Sequence, residues 1–424
     1  MKILIVGGGG REHAIAWKLS KENNVEKIYC APGNAGIAKV AQCVNISDSD
    51  IENLVKFAKE NNIDLTVVGP EVPLVNGIVD EFEKEGLKIF GPNKECSTFE
   101  GSKSFSKDFM IRHNIPTAKY KEYTNLDEAI SEIDSFGYPV VIKADGLAAG
   151  KGVVIPENRE DAINTLREIM SDKKFGSAGE KIVVEEFLSG IETSILAFVD
   201  NDTIVPMVSA KDHKKVYNFE KGPNTGGMGT FSPSEIYTDE LSKEISEKVL
   251  NRTLQGFKKD NLNYKGVLFI GLMITEDGPK VLEYNVRFGD PETQSVLFRL
   301  ETDLHKIMEA ILDNKLKDIE INYKKEEAVC VMLTSGGYPE DYEKGKVITG
   351  LEDLDEDIVV FHSGTKMLDG NLVTNGGRVI GITTSAGSVE EAAKKVYKNI
   401  EKINFEGMHY RTDIGVKFCK EISF

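Results

Sequence analysis

The chain has 424 residues, of which 40% are hydrophobic and 29% are charged, and its formal net charge is −17. This length predicts about two to four domains, and the composition is typical of a globular protein with hydrophobic cores. Proteins that coat nucleic acid are normally basic, so this acidic chain does not suit that class. The bulk composition favours an enzyme or a small-ligand binder.

The five cysteines are scattered and never stand in Cys-x-x-Cys spacing. They predict neither a disulfide framework nor a zinc site, but buried small apolar side chains in a reducing compartment. The apolar run at the N-terminus is too short for the core of a signal peptide, and no stretch approaches the length of a membrane span. We therefore expect a cytoplasmic protein.

The first 101 residues alternate buried strands with amphipathic helices. This alternation predicts a parallel sheet with helices on both faces. Ligands bind at the carboxyl ends of the strands in such sheets, so we expect this unit to hold a substrate. The predicted strands are Lys2–Val6, Lys27–Cys30, Leu65–Val68 and Lys88–Phe90, and the predicted helices are Arg11–Ser20, Ile51–Asn61 and Gly77–Glu85.

The glycine run Gly7–Gly10 follows the first strand and opens a helix, as a dinucleotide fingerprint does. The sixth position of that fingerprint would be Glu12 or His13 in place of glycine, and no acidic residue ends the second strand. This mismatch disfavours NAD binding. Two interpretations stay open, namely a nest of backbone amides for a smaller anion and a plain tight turn.

After residue 101 the pattern of strands and helices changes, and the rest of the chain divides into two further units. We therefore predict the domains 1–101, 102–322 and 323–424. In the middle unit the predicted helices are Lys103–His113, Arg159–Met170 and Thr238–Lys258, and the strands include Tyr138–Ala144, Gly152–Ile155 and Ile182–Phe187. The last unit is predicted to contain the strands Ala328–Thr334 and Arg378–Thr384 and a helix that begins near Ser388.

The glycine-rich segment Lys143–Gly152 resembles a Walker loop only superficially. The spacing before Gly150 is one residue short, Gly152 stands where the Walker loop needs Ser or Thr, and a strand follows where it needs a helix. We expect a flap between two antiparallel strands, with amides that close over phosphates and with Lys143 as a point charge beside them. A plain hairpin turn is the alternative, although it needs only one or two glycines.

Two apolar runs, Val267–Thr275 and Lys280–Phe288, predict a β-hairpin. With period two, Glu283, Asn285 and Arg287 share one face of the second strand, opposite to Leu282, Tyr284, Val286 and Phe288. A carboxylate and a carboxamide at this spacing suit one hard cation, typically the Mg²⁺ that accompanies nucleotide phosphates. The alternative is a solvated strand face with an ordinary ion pair.

Two weaker signals are the charged cluster Lys211–Lys215 and the glycine-rich stretch Gly222–Gly229. Each could be a solvated or mobile loop, and the second could instead expose amides to an anionic intermediate. The histidines show no ligand spacing and no partner Ser or Cys motif, so a hydrolytic triad is not predicted.

Together, Lys143–Gly152 and Arg287–Glu292 resemble the glycinamide ribonucleotide synthetases, the phosphoribosylamine–glycine ligases of purine biosynthesis, which are ATP-grasp enzymes. The segment Arg287–Glu292 is highly specific to this family, whereas the flap indicates only the superfamily. The likeness runs nearly end to end and includes Gly7–His13, Ala31–Gly36, Val68–Leu74, Gly101–Asp108, Asp212–Lys214, Pro223–Gly229 and Gly376–Gly381.

The resemblance implies a multidomain protein of the α/β and α+β classes. It has an N-terminal parallel-sheet (pre-ATP-grasp) domain for substrate, a central ATP-grasp domain with a mobile lid at about 120–187, and a small C-terminal α/β domain. The implied reaction joins glycine to 5-phosphoribosylamine with ATP as co-substrate and Mg²⁺ (or Mn²⁺) as cofactor, through a glycyl phosphate. We expect a monomer with no nucleic-acid or membrane partner.

The resemblance also implies roles for individual residues. The catalytic set is Arg287, Asp212 and Gly227, and the metal ligands are Glu283 and Asn285. ATP is expected to contact Lys103, Lys143, Gly146, Gly150, Lys151, Gly152, Glu185, Glu186, Phe187, Leu188 and Glu192. The substrate-binding set is Gly8, Gly9, Gly10, Asn34, Asp212, Asn224, Thr225 and Arg287.

Two features depart from the expected patterns. Many ATP-grasp enzymes carry a metal carboxylate on the preceding strand, but Gly271–Met273 supplies no oxygen side chain, and Lys211 stands where the family is expected to have Gln. The alternatives to this family are another ATP-grasp carboxylate–amine ligase or carboxylase, a nucleotide-regulated binding module without turnover, and a nicotinamide dehydrogenase.

Overall fold

The computed structural model describes residues 1–147, 152–172, 174 and 176–416. The strands are β1 Lys2–Gly7, β2 Lys27–Pro32, β3 Gln42–Cys43, β4 Leu65–Val68, β5 Ile89–Phe90, β6 Tyr120–Tyr123, β7 Val140–Ala144, β8 Val153–Val154, β9 Ile182–Glu186, β10 Ile191–Val199, β11 Ile204–Pro206, β12 Lys211–Asp212, β13 Lys215–Tyr217, β14 Lys221–Asn224, β15 Gly229–Ser232, β16 Gly266–Thr275, β17 Gly278–Asn285, β18 Glu327–Thr334, β19 Val359–His362, β20 Thr365–Leu368, β21 Asn371–Thr374 and β22 Arg378–Ala386. The α-helices are α1 Gly10–Leu19, α2 Ile51–Glu60, α3 Glu71–Val75, α4 Ile78–Lys84, α5 Lys94–Gly101, α6 Lys103–Arg112, α7 Leu126–Glu132, α8 Arg159–Met170, α9 Asp239–Ile245, α10 Asn251–Lys259, α11 Glu292–Arg299, α12 Leu304–Leu312 and α13 Val389–Ile400.

The N-terminal strands form an all-parallel sheet in the order β3-β2-β1-β4-β5, as predicted. Side chains of β1 alternate between two cores, with Leu4 and Val6 in one and Ile3 and Ile5 in the other. The strand is therefore buried on both faces, which is the arrangement that flanking helices produce. The strand order reverses between β1 and β4, so the loops after these two strands flank a crevice.

The lid is an antiparallel sheet in the order β6-β9-β7-β8 with α7 and α8 on it. It has its own hydrophobic core, which includes Tyr123, Ile142, Leu166 and Ile182. The strands β7 and β8 pair across the glycine-rich segment, so the predicted antiparallel flap is confirmed at both of its ends.

The central sheet has the order β11-β10-β16-β17 and contains the predicted hairpin. Strand β17 ends at Asn285, three residues earlier than predicted, because the Val286 N–H donates to Glu100 Oε2 instead of to a neighbouring strand. A bulge between Gly271 and Leu272 leaves Leu282 without a cross-strand partner. The predicted helix 238–258 contains a π-helical turn, Ser246–Leu250, between α9 and α10.

The C-terminal sheet has the order β12-β15-β18-β22-β19 and is covered by α13, which begins beside Ser388 as expected and is capped by its side chain. Two of its strands, β12 and β15, come from residues 211–232, in the middle of the chain. Segments that were predicted in different units therefore share one sheet, and the proposed boundaries at 322 and 323 stay a prediction.

The cysteines correct one expectation from the sequence. Cys30, Cys96 and Cys330 are buried free thiols, but Cys43 is exposed because it lies on the two-residue edge strand β3, and Cys419 is outside the described residues. Across the described ranges, no helix is both long and apolar enough to cross a membrane.

Candidate active site

A cavity of about 540 Å³ lies where the lid, the central sheet and the N- and C-terminal parts meet. Most of the predicted site residues line it: Lys103, Lys143, Gly146, Gly152, Glu185, Glu186, Phe187, Leu188, Glu192, Asp212, Asn224, Thr225, Glu283, Asn285 and Arg287. Five others, Gly8, Gly9, Gly10, Asn34 and Gly227, are not among its lining residues. Gly150 and Lys151 lie outside the described residues.

Two lysines approach the cavity from the helix and from the strand that leads into the flap. Lys103 begins α6, and its Nζ donates to Gly146 O at 3.0 Å. Lys143 on β7 donates to Leu282 O at 3.2 Å and lies 2.8 Å from Glu185 Oε1. Burial lowers the pKa of Lys103, so the site contains ammonium groups that would gain from an anionic ligand.

The flap is anchored at its base by Asp145. This carboxylate accepts hydrogen bonds from the Ser104 amide at 3.1 Å and from the Ser104 hydroxyl at 2.7 Å, and Lys181 Nζ lies 3.3 Å away. The contacts join the flap to the first turn of α6, so Lys103 and Lys143 belong to one connected structure.

Glu283 is the carboxylate at the centre of the cationic part of the cavity. Burial alone would raise its pKa, but the ammonium groups of Lys214, Lys143 and Lys103 outweigh burial and hold the pKa below its ordinary range. Glu283 is therefore an anion, and the Asn285 side chain is its hydrogen-bond partner. One carboxylate and one amide oxygen fit Mg²⁺ that is also held by substrate phosphates and water.

The strand opposite to Glu283 contributes no oxygen side chain, because its cross-strand partner is Gly271. No group of three or more His, Cys, Asp or Glu side chains is arranged for a metal in the part of the chain that the structure describes. The bulge also changes one predicted detail, since Leu282 lines the same cavity as Glu283 rather than the opposite face.

Arg287 lies just beyond the end of β17 and is held between two carboxylates. Its guanidinium donates to Glu100 Oε1 at 2.9 Å and to Glu71 Oε2 at 3.4 Å. Burial raises the pKa of Glu100 in spite of this arginine, whereas Arg287 and Arg11 outweigh burial at Glu71 and hold its pKa below the ordinary range. These carboxylates fix the guanidinium at the cavity wall.

Asp212 forms no close ion pair with a cation among the described residues, although Lys214 and Arg378 are near enough to act on its charge. Its Oδ1 is buried and has no hydrogen-bond partner among the described residues. Burial raises the pKa of Asp212 well above its ordinary range, and the neighbouring carboxylate of Glu292 adds to the increase. A Cβ on Gly227 (φ +114°) would lie 2.8 Å from Asp212 Oδ1 and would collide with Pro291, so only glycine fits beside the acid.

The loop 222–229 corrects the expectation of free amides for an anionic intermediate. Asn224 and Thr225 line the cavity, but the amides that follow are already bonded within the protein. The donors and acceptors are Thr225 N with Lys214 O, Gly226 N with Tyr338 Oη, Gly227 N with Thr225 Oγ1, and Met228 N with His213 O.

Gly9 and Gly10, which follow β1, lie next to Asp290, a residue that lines the cavity. Gly9 N donates to Glu12 Oε2 at 2.6 Å, and the Asn34 amide donates to Gly8 O and to His362 O, both at 2.8 Å. Asn34 Oδ1 in turn accepts from two amides of its own loop. Asn34 therefore joins the loop after β2 to the loop after β1 and to the end of β19.

Comparison with known proteins identifies the architecture. Three family models of phosphoribosylglycinamide synthetase match the chain in succession, the N domain over residues 1–100, the ATP-grasp (A) domain over 101–293 and the C domain over 328–417. The chain belongs to the phosphoribosylglycinamide synthetase family. The family, the ATP-dependent ligase class and the three-part fold that the sequence predicted are thereby confirmed.

Individual relatives agree over nearly the full length. The phosphoribosylamine–glycine ligase of Caldanaerobacter subterraneus subsp. tengcongensis is 52% identical over 99% of this chain and 100% of its own, and that of Halalkalibacterium halodurans is 48% identical over 99% and 98%. The crystal structure of the Thermotoga maritima phosphoribosylamine–glycine ligase has a TM-score of 0.85, with 35% identity, and covers 98% of this chain and 100% of its own. A biotin carboxylase domain from Hydrogenobacter thermophilus, 17% identical over 96% of this chain and 91% of its own with a TM-score of 0.73, shares the fold alone.

Several lining residues of this family member were not among the predicted site residues. Arg378 of the C-terminal sheet lies 3.1 Å from Asp290 Oδ2 and donates to Gly226 O at 2.6 Å, and Lys214 forms an ion pair with Glu192. Arg378 and Lys214 lie in segments of the family likeness, Gly376–Gly381 and Asp212–Lys214, so the sequence motifs could have identified them as site residues. Lys107 and Glu292, which are buried and line the cavity, also lie in segments of the family likeness, Gly101–Asp108 and Arg287–Glu292, so the same signal was available for them.

Proposed function

We propose that the chain ligates glycine to 5-phosphoribosylamine, with ATP converted to ADP and phosphate, through a glycyl phosphate intermediate. The observation that carries the proposal is one cavity that combines an ionised Glu283 among three lysines with Asp212, whose buried Oδ1 has no hydrogen-bond partner among the described residues. The cationic part suits nucleotide phosphates, and the acidic part suits an ammonium group. Phosphoryl transfer to a small amino acid needs both, together with close positioning of the two substrates.

ATP would lie between the lid and the central sheet. Lys103 and Lys143 would contact its phosphates, and the flap glycines Gly146, Gly150 and Gly152 with Lys151 would cover them. The segment 185–188, at the end of β9, would bind adenine through its backbone, and Glu192 would bind the ribose. The position of Lys103, Lys143 and Glu192 around one cavity supports this arrangement.

Glu283 and Asn285 would hold Mg²⁺ or Mn²⁺ together with the phosphates. When bound, the divalent cation would neutralise charge on the phosphates as the terminal phosphoryl group is transferred. Without a carboxylate at Gly271, the protein offers this one acidic ligand on the two strands of the hairpin.

Glycine would bind with its ammonium group at Asp212 and its carboxylate toward the phosphates. The carboxylate oxygen attacks the terminal phosphorus of ATP, and ADP leaves. Asp212 keeps the glycine nitrogen protonated, so its lone pair cannot attack the acyl phosphate. Arg287 would stabilise the acyl phosphate at the cavity wall, and Gly227 would give the substrate access beside Asp212.

The amine of phosphoribosylamine then attacks the acyl carbon, the new C–N bond forms, and phosphate leaves. Gly8, Gly9 and Gly10 with Asn34 would hold the sugar. Gly9 and Gly10 lie next to the cavity residue Asp290, Asn34 bonds to Gly8 O, and the glycine run leads into the N-terminus of α1, where an anion is favoured. Asn224 and Thr225 would line the path between the two substrates.

The working state is proposed to be a cytoplasmic monomer with small-molecule substrates only. The free cysteines support a reducing compartment, and the cavity draws its walls from the N-terminal, central and C-terminal parts of a single chain. The domain division 1–101, 102–322 and 323–424 remains part of the proposal.

The test is ADP release in the presence of phosphoribosylamine generated in situ. We expect release that depends on glycine, at most weak activity with alanine or serine, and formation of glycinamide ribonucleotide by mass spectrometry. Equal ADP release without glycine would contradict the proposal. Release that depends on bicarbonate would indicate a carboxylase instead.

A further inference from the structure

Lys107 is a buried cation beside the cavity for which the proposed reaction has no use. Only 2% of its side chain is exposed, and its Nζ lies 2.8 Å from Glu185 Oε2 and 2.7 Å from Thr117 Oγ1. It stands one helical turn after Lys103 on α6, so both lysines point to the same side of the helix. Lys103 contacts the base of the flap, whereas Lys107 contacts the lid strand β9.

Glu185 is held between two ammonium groups, one on each carboxylate oxygen. Its Oε1 lies 2.8 Å from Lys143 Nζ, and its Oε2 lies at the same distance from Lys107 Nζ. Burial alone would raise the pKa of Glu185, but Lys143 and Lys107 outweigh burial and hold it below the ordinary range. One buried anion therefore has two cations, and it needs only one of them to stay compensated.

The two lysines differ in how firmly they are held. The Lys107 ammonium is fixed by Glu185 and by Thr117, whose hydroxyl donates to Val281 O at 2.7 Å, and it faces the Tyr120 ring at 5.9 Å. These contacts join α6, the lid and β17 at one point. Lys143 has the ion pair with Glu185 and one longer hydrogen bond, 3.2 Å, to Leu282 O. Of the two cations, Lys143 is therefore the less firmly held.

We propose that Lys107 is a positioning residue, the resident counter-ion of Glu185 that leaves Lys143 free to bind the phosphates of ATP. The inference rests on the proposed role of Lys143. Without Lys107, Lys143 would be the sole cation beside a buried carboxylate, and its movement toward a phosphate would leave that carboxylate uncompensated. An unpaired buried charge is strongly unfavourable, so ATP binding would have to overcome this penalty.

The first test is Lys107→Met, which keeps the length of the side chain and removes its charge. We expect the KM for ATP to rise about tenfold or more, with kcat changed by less than about threefold and the KM for glycine unchanged. Lys121→Met is the matched control, because Lys121 also lies on a lid strand in ion pairs with glutamates but is 45% exposed. Its KM for ATP should equal that of the wild type.

A double-mutant comparison separates this role from simple packing. If Lys107 acts through the charge of Glu185, then Glu185→Gln and Lys107→Met/Glu185→Gln should share the same KM for ATP within about twofold. The double variant buries no unpaired charge, so this comparison holds even if Lys107→Met alone does not fold. A KM for ATP in the double variant more than about fivefold above that of Glu185→Gln would overturn the inference, as would an unchanged KM in Lys107→Met. Failure of the proposed function is a different result, namely wild-type protein that releases no ADP in response to glycine.

Discussion

Replacing Asp212 by asparagine removes one negative charge from the proposed ammonium site and changes the side-chain shape very little. Two unit charges about 4 Å apart attract by about 4 kcal/mol at an effective dielectric constant near 20. Glu292 stays beside the site and retains part of this attraction. We therefore expect a net loss of about 2–3 kcal/mol, which corresponds to a decrease in kcat/KM for glycine of about 30- to 160-fold.

The stability of the Asp212→Asn protein should not fall. A carboxyl group with a raised pKa in the folded state destabilises the fold once the pH exceeds its pKa in the unfolded chain. The neutral asparagine removes that penalty and the repulsion from Glu292. Thermal unfolding at neutral pH should therefore give a Tm equal to or above that of the wild type.

The pH dependence provides an independent check. In the wild type, kcat/KM for glycine should fall as the pH drops through the raised pKa of Asp212, because the protonated acid cannot hold an ammonium group. The groups that face Asp212 are Glu292, Lys214, Glu192 and Arg378. The acid limb of the profile should weaken in Asp212→Asn, and exposed Asp202→Asn serves as the control. An unchanged KM for glycine with an unchanged acid limb would refute the ammonium role.

Three further substitutions test other parts of the site. Glu283→Gln should raise the Mg²⁺ concentration for half-maximal rate and lower kcat by about a hundredfold or more, and a metal titration that matches the wild type would exclude Glu283 as a ligand. Lys143→Met should raise the KM for ATP by about tenfold or more in steady-state kinetics, whereas an unchanged value would remove this lysine from the phosphate site. Gly227→Ala should lower the free energy of unfolding by about 1–3 kcal/mol, since its backbone is left-handed (φ +114°) and its Cβ would meet Pro291. Denaturant unfolding checks this expectation, and stability equal to the wild type would contradict it.

Sequence patterns located most elements because their periodicity is local. The strand β4 and the helix α8 have the predicted bounds, and Glu283, Asn285 and Arg287 line one cavity. What the patterns missed depends on contacts between distant segments. The bond from Val286 N to Glu100 ends β17 early, and the pairing of β12 and β15 with β18 crosses the predicted unit boundary.

The electrostatics of the site also depend on contacts between distant segments, which the sequence patterns do not show. A net charge of −17 disfavours a protein that coats nucleic acid but does not reveal that lysines and arginines converge on one cavity. Nor does it show that these cations already have resident carboxylates: Lys143 has Glu185, Arg287 has Glu100 and Glu71, Lys214 has Glu192, and Arg378 has Asp290.

Each of these pairs joins residues far apart in sequence, so no local spacing could have predicted them. Buried ion pairs contribute little net stability compared with apolar packing, and their value lies in fixing geometry. In this site they hold the cations in place before any anion arrives, so an anionic substrate takes over charges that are already oriented. Asp212, whose Oδ1 lacks such a partner among the described residues, is the exception that leaves room for an ammonium group from the substrate itself.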